Sequence, residues 1–232
     1  MPKLAPPAAL LATLSLAALP LLGATRSGAP ASAPRVSSAA PSAAAASTAQ
    51  ARLYFQVAPT GNEARYRVRE RLVGRDADND VIGVTKDVSG RLVVEPNGRV
   101  IRDSSRISVR MDSLKTDQSR RDNWVRRRLL EVEKFPTVDL VPASFTGITS
   151  PIAPGTSRTF GLTANLTIHG VTRPTTWQVT ARGDGRDVVG TATTAFTFKD
   201  FDLTQPRVPI VLSVADTVRL EYDFRFTPAA GR

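Results

Sequence analysis

The chain offers few side chains that could carry out chemistry. It contains no cysteine and a single histidine, His169. Without cysteine there is no disulfide, no thiolate metal site and no cysteine nucleophile, and one histidine cannot supply a two-histidine metal site. A serine hydrolase triad would have to use His169 as its base. We therefore expect no metal site, no cofactor and no enzymatic activity.

Two stretches come closest to a reactive site, and each has a plainer interpretation. His169 could act as a base beside a carboxylate such as Asp200, which would suit a hydrolase or an isomerase. The plainer interpretation is that its ring bonds a backbone carbonyl of the adjacent turn. The acidic run at 76–80 resembles a calcium loop but lacks the internal glycine and the downstream glutamate, so a solvated turn is expected there.

The N-terminal 50 residues differ in composition from the rest. Residues 8–22 are almost wholly apolar and follow Lys3. This pattern is typical of a signal-peptide core and is shorter than the roughly 20 residues that span a bilayer. We interpret 1–24 as a signal peptide, with an uncleaved anchor as the alternative. Residues 25–50 are rich in Ala, Ser and Pro and are predicted to form a disordered linker ahead of a folded domain at 51–228.

The chain is also basic, with a formal net charge of +10. A basic surface attracts nucleic acid or anionic lipid, or is simply solvated. Because the N-terminus predicts a periplasmic or secreted protein, we expect no nucleic acid as partner. Transient contact with a membrane surface stays open, and so does the choice between a monomer and a dimer.

The elements that must position these groups are β-strands. From residue 52 onward apolar and polar residues alternate, as in 160–168, which is the pattern of half-buried antiparallel strands. Turn sequences separate eight or nine such stretches, near 52–57, 63–74, 81–94, 99–112, 137–147, 157–170, 175–183, 187–199 and 214–227. A meander of this size must close or expose its edges, so an all-β antiparallel barrel is predicted. One short helix is predicted at 119–130, with Asp122 as a cap.

Several blocks, in this order and spacing, resemble the YceI-like family. They are 83–92 (GVTKDVSGRL), 113–116 (SLKT), 121–122 (RD), 132–137 (VEKFPT), 162–174 (LTANLTIHGVTRP) and 198–201 (FKDF). The resemblance covers roughly 52–228. It implies a lipocalin-like, eight-stranded antiparallel barrel with a helix near its opening. It also implies an exported protein that holds a long isoprenoid, such as a polyprenyl chain or a quinone tail.

A barrel of about eight strands can hold one ligand if its inward side chains leave room. The inward residues that we expect to line such a cavity are Phe145, Phe160, Leu162, Leu166, Phe196, Phe198, Tyr222 and Phe224. Residues expected at the mouth, near a phosphate or quinone oxygen, are Arg120, Arg121, Trp124 and Lys134. The alternative is a barrel filled by its own side chains that serves as an interaction or stress-related module.

The sequence departs from the family pattern in two places. Asp202 stands where the family usually has a glycine after the "DF" pair. Asp139 and Leu140 replace the usual small residue and phenylalanine after "FPT". Both positions could alter the cavity, so the ligand could differ although the fold is the same.

Overall fold

The protein is described by a computed structural model that covers residues 52–73, 78–206 and 211–231. The predicted signal peptide and linker lie outside these residues, as does Asp76 of the acidic run. Ten strands are present: β1 Leu53–Val57, β2 Glu63–Leu72, β3 Asn79–Thr85, β4 Val88–Val94, β5 Arg106–Arg110, β6 Thr137–Thr146, β7 Ser157–Ile168, β8 Val171–Asp184, β9 Asp187–Thr197 and β10 Val211–Pro228.

All neighbouring strands are antiparallel, and the ring closes through pairing of β1 with β10. The ten strands form an eight-stranded barrel because two pairs of consecutive strands each act as one bent strand. β1 and β2 are the two halves of the first, since both pair with β10, at Val57↔Phe226 and Ala64↔Tyr222. β3 and β4 are the two halves of the second, since β3 pairs with β2 and β4 pairs with β1. The predicted eight-stranded antiparallel barrel is therefore confirmed, and the predicted strand 81–94 is broken at residues 86–87.

Asn62 stabilises the bend between β1 and β2. Its amide nitrogen donates to the carbonyl of Ala58 at 2.7 Å, and its side-chain oxygen accepts from the Tyr222 hydroxyl at 2.9 Å and the Arg225 amide at 3.0 Å. These bonds replace the ladder bonds that a regular strand would make here. The side chain can be buried, at 6% exposure, because its polar atoms are bonded.

One wall of the barrel is not completed by a strand. β5 has only five residues, and beyond it Val84 of β3 pairs with Lys115 through backbone bonds of 2.7 and 2.9 Å. The connection 111–136 then crosses this side of the barrel. It contains α1 Ser119–Trp124, which continues into a π-helical turn at Val125–Leu129. The predicted helix at 119–130 is thus confirmed.

The helical segment is attached to the barrel by a small apolar cluster of its own. Met111, Leu114 and Val125 are buried together, with Leu129 and Leu130 packed against them. Asp122 is not the N-cap, which is Gln118; its carboxylate instead accepts from the amide and hydroxyl of Thr116, each at 2.7 Å. None of the helices in the described ranges is long and apolar enough to cross a membrane.

Asp202 ends a 3-10 turn at Phe198–Phe201 and has a φ of 53°. This left-handed conformation favours glycine and is tolerated by aspartate at some cost. The turn places Phe198 and Phe201 in the core, at 4% and 0% exposure, whereas Asp202 itself is exposed. The departure from glycine at this position therefore affects the stability of the turn and leaves the interior unchanged.

We expect Asp202→Gly to raise the free energy of unfolding by about 0.5–1 kcal/mol, because it removes left-handed strain. Asp202→Val should lower it by about 1–2 kcal/mol, because a β-branched residue resists this conformation. Urea unfolding measures both. Lys199→Gly, at an exposed position of the same turn with no positive φ, is the control and should destabilise. A glycine variant at 202 that is less stable than the parent would contradict this account.

Candidate lipid-binding site

A cavity of about 950 Å³ occupies the half of the barrel next to the helical segment. Its walls come from strands β2, β3, β5, β6, β7, β8, β9 and β10 and from the helical segment. Most of the lining side chains are apolar, among them Val68, Val81, Ile107, Leu140, Leu166, Ile168, Trp177, Phe196 and Val218. The volume lies at the upper end of the range of roughly 300–1,000 Å³ that is usual for small-molecule pockets. An apolar chain would fit the chemistry of these walls.

The eight residues predicted to line the interior divide into two groups. Leu166, Phe196, Phe198 and Tyr222 line the cavity. Phe145, Phe160, Leu162 and Phe224 point into the same core but lie outside the cavity lining. There the Phe145 and Phe160 rings pack edge to face at 5.4 Å, and Phe224 contacts Tyr222 and Phe226 at 5.8 and 5.5 Å. The barrel is thus filled at one end and hollow at the other.

The predicted mouth residues divide in a similar way. Arg120, Arg121 and Trp124 of α1 lie at the opening of the cavity. Lys134 lies outside the lining, and its ammonium group pairs with the Glu131 carboxylate at 3.3 Å. Lys134 belongs to the bend after the helical segment, so its charge is directed to the carboxylate three residues before it. A ligand role for the mouth residues stays a prediction.

An acidic side chain, Glu70, lies inside the apolar mouth. It is 7% exposed, and one of its oxygens accepts from Asn79 at 3.1 Å and from Arg121 at 3.5 Å. Arg121 also binds Asp117, so two carboxylates compensate one guanidinium. The mouth therefore offers hydrogen-bond donors and acceptors without a free positive charge from Arg121. Beside Glu70 this arrangement suits an uncharged polar group better than a phosphate, whereas Arg120 at the same opening is exposed and has no carboxylate partner among the described residues.

Tyr66 closes the wall beside Glu70. It stands opposite Gly83 in the ladder, and its ring lies so close that a Cβ at Gly83 would come within 2.0 Å of it. Burial raises the pKa of Tyr66 to about 12, so its hydroxyl stays protonated at neutral pH. Gly83 is thus required by the ring that packs over it. Any side chain there would clash with the Tyr66 ring.

Sequence reasoning missed Tyr66 and Glu70 as site residues, although a signal was present. The alternation in β2 puts Glu70 on the same face as Tyr66 and Val68. A carboxylate on the apolar face of a strand is unusual and indicates a buried polar contact. Trp177 and Asn79 also line the cavity, and they carried no comparable signal.

His169 and Asp200 are held by separate partners. The His169 Nε2 is 3.2 Å from the Glu131 carboxylate, and the ring packs against Phe135 with centroids 4.7 Å apart. The expected bond to a backbone carbonyl was therefore wrong. Asp200 instead caps its own turn, accepting from the Thr197 amide at 2.6 Å and hydroxyl at 2.9 Å. The His169–Glu131 contact joins the end of the helical segment to the β7–β8 turn.

The profile of the YceI-like domain matches residues 55–226, which includes every strand of the barrel in whole or in part. The chain belongs to the YceI-like family. Two UPF0312 proteins of Pseudomonas putida are each 31% identical over 113 residues, which is 45% of this chain and 55% of the relative. The chain thus spans about half the length of the curated relatives it matches.

Solved structures share the fold of this YceI-like chain at low sequence identity. A polyisoprenoid binding domain from Saccharophagus degradans is 12% identical with a TM-score of 0.57, over 76% of this chain and 99% of that one. BcnA of Burkholderia cenocepacia is 15% identical with a TM-score of 0.53, over 73% and 98%. A Campylobacter jejuni YCEI protein is 17% identical with a TM-score of 0.54, over 68% and 91%.

The second departure from the family pattern lies in the cavity wall. Leu140 is 9% exposed and lines the cavity. Asp139 points outward, accepts from the Ser108 hydroxyl at 2.5 Å and pairs with Arg106 at 3.4 Å. Leu140 stands opposite Leu166 in the β6–β7 ladder, so both side chains border the cavity.

Leu166 and Leu162 allow the hollow and the filled regions to be compared on one strand. Both face inward from β7, and only Leu166 lines the cavity. We expect Leu166→Trp to extend into the cavity and change the free energy of unfolding by less than about 1 kcal/mol. Leu162→Trp should overpack the core and cost about 1–3 kcal/mol. Denaturant unfolding measures both, and equal losses would mean that no hollow lies beside Leu166.

Proposed function

We propose that the protein binds a long isoprenoid, of polyprenyl or quinone type, inside the barrel and carries or stores it. The observation that supports this most is the apolar cavity of about 950 Å³. Each Å² of apolar surface that a bound chain removes from water in this cavity contributes about 25 cal/mol. Apolar walls also hold water poorly. A flexible apolar chain would fill this volume.

The mouth adds a preference for the head group. Glu70, Asn79 and Arg121 can exchange hydrogen bonds with a hydroxyl or a carbonyl, whereas a phosphate there would meet the Glu70 and Asp117 carboxylates. We therefore propose that the Glu70 side of the mouth takes an uncharged head group, and that Arg120, exposed at the same opening, is the side chain that would pair with a phosphate. The family resemblance and the Saccharophagus degradans domain, described as polyisoprenoid binding, support the isoprenoid tail. Binding rather than catalysis is proposed, since His169 and Asp200 have separate partners.

Affinity should depend on chain length until the cavity is full. Each CH₂ group moved from water into the barrel contributes about 0.8 kcal/mol, so binding should tighten about fourfold per buried carbon. A prenol series of increasing length, measured by competition with a fluorescent lipid, should show this rise followed by a plateau. Leu166→Trp should move the plateau to shorter chains, and Leu140→Ala should move it to longer ones. Affinity that is independent of chain length would contradict the proposal and favour an interaction module.

We also propose that the protein is exported, because the apolar run at 8–22 has the composition of a signal-peptide core. N-terminal sequencing of the protein from its native host should then find that residues 1 to about 24–33 have been removed. A chain that begins at Met1 and co-sediments with membranes would favour the uncleaved anchor. A chain that begins at Met1 and stays in the cytoplasmic fraction would contradict export.

A further inference from the structure

The rim of the cavity carries exposed apolar side chains. Among the described residues, the large hydrophobic side chains that are exposed are Trp124, at 38%, and Val73, at 58%. Trp124 lies on α1 at the opening. Val73 lies three residues after Glu70, just past the end of β2. That end of β2 contacts α1, because Arg121 donates to Glu70. Trp124 therefore borders the opening, whereas Val73 lies at the same end of β2 and outside the cavity lining. An indole at the edge of an apolar cavity is typical of a surface that enters the interface of a bilayer.

Arginine side chains surround Trp124 on the outer side of the helical segment. Arg120 precedes Trp124 by four residues on α1, so these two side chains lie on one face, and Arg127 and Arg128 follow in the π-helical turn. All of them are exposed, whereas Val125 and Asp122 on the other side are buried. Residues 119–129 contain five arginines and one acidic residue, the buried Asp122. This outer side is therefore positively charged around an exposed tryptophan.

Other charges nearby are mostly paired. Asp117 binds Arg121, and Glu131 binds both Lys134 and His169. Glu133 is exposed in the bend that follows. Since Arg121 and Lys134 already have carboxylate partners, Arg120, Arg127 and Arg128 provide the excess positive charge, together with Arg126, which donates to the Asp112 carbonyl and the Asn123 side chain. That excess is adjacent to the cavity opening.

We propose that this rim, formed by Arg120, Trp124, Arg127, Arg128 and Val73, docks on a bilayer surface that contains anionic lipids. Trp124 and Val73 enter the headgroup region, and the arginines pair with lipid phosphates. Docking in this orientation places the cavity mouth against the membrane, so an isoprenoid could enter or leave without crossing water. The docking rests on the rim alone, and only its use in lipid transfer rests on the proposed function.

The test is vesicle binding by the purified protein, with vesicles of phosphatidylcholine alone or mixed with phosphatidylglycerol and free of isoprenoid. Co-sedimentation should require phosphatidylglycerol and should weaken as NaCl is raised, because salt screens exposed charges. Replacing Arg127 and Arg128 with Gln should reduce partitioning roughly tenfold to thirtyfold. The matched control replaces Arg158 and Arg186, two exposed arginines near the opposite end of β7 and β8, and should change it less than threefold.

Tryptophan fluorescence reports the orientation. The chain has two tryptophans, and Trp177 is 4% exposed with its indole NH bonded to Thr175 at 2.9 Å. Vesicles with brominated acyl chains should therefore quench Trp124, and Trp124→Phe should abolish most of the quenching. Equal losses in both double-arginine variants, or binding without quenching of Trp124, would overturn the proposal. A blue shift of Trp124 that depends on protein concentration without vesicles would indicate a second copy on the rim and would also overturn it.

These outcomes separate docking from lipid binding. A protein that retains a prenol but ignores anionic vesicles contradicts the docking alone. A protein that docks through Trp124 but shows no dependence on prenol length contradicts the proposed function alone.

Discussion

The short strand β5 is the constraint on which the rest of the structure depends. A closed barrel needs every backbone donor and acceptor along its walls to find a partner. Because β5 ends at Arg110, the outer edge of β3 has no neighbouring strand to pair with in the described part of the chain. The connection after β5 pairs with β3 at one position, through the bridge between Val84 and Lys115. The connection 111–136 must therefore leave the wall and return to it. Its helical segment forms the rim, and the hollow lies beneath.

The polar contacts at the mouth follow from that arrangement. α1 approaches β2 where Glu70 faces inward, and Arg121 reaches it from the helix. Removing one partner from a buried ionic contact leaves the other charge buried without a partner, which typically lowers the free energy of unfolding by several kcal/mol. The intact contact, in contrast, contributes little net stability. The contact is therefore better understood as fixing the position of α1 over the cavity. It also sets the electrostatics of the opening, since Asp117 shares the same guanidinium.

Alternation predicted which residues face inward, and the family resemblance predicted the closed barrel with its helix. Neither could predict where the interior changes from filled to hollow. Leu162 and Leu166 have the same side chain, strand and face, and only the second borders the cavity. That boundary depends on which aromatic rings meet across the barrel, as Phe145 and Phe160 do, and on how far the neighbouring wall extends.

The bends at 58–62 and 86–87 depend on long-range bonds such as Asn62 with Tyr222, which no local pattern encodes. Glu70, in contrast, could have been found from alternation alone.

The filled end and the hollow end make the barrel asymmetric, and the charges follow the same asymmetry. At the filled end, Arg225 pairs with Asp184 at 2.9 Å and Asp187 at 2.7 Å, and the exposed Arg158 and Arg186 have no exposed aromatic side chain beside them among the described residues. At the hollow end, Arg120, Arg127 and Arg128 stand exposed around Trp124. A filled interaction module would have no need to combine an apolar opening with this excess charge at the same end. A protein that exchanges an apolar chain with a membrane needs both there, because transfer through water would expose the chain at about 25 cal/mol per Å².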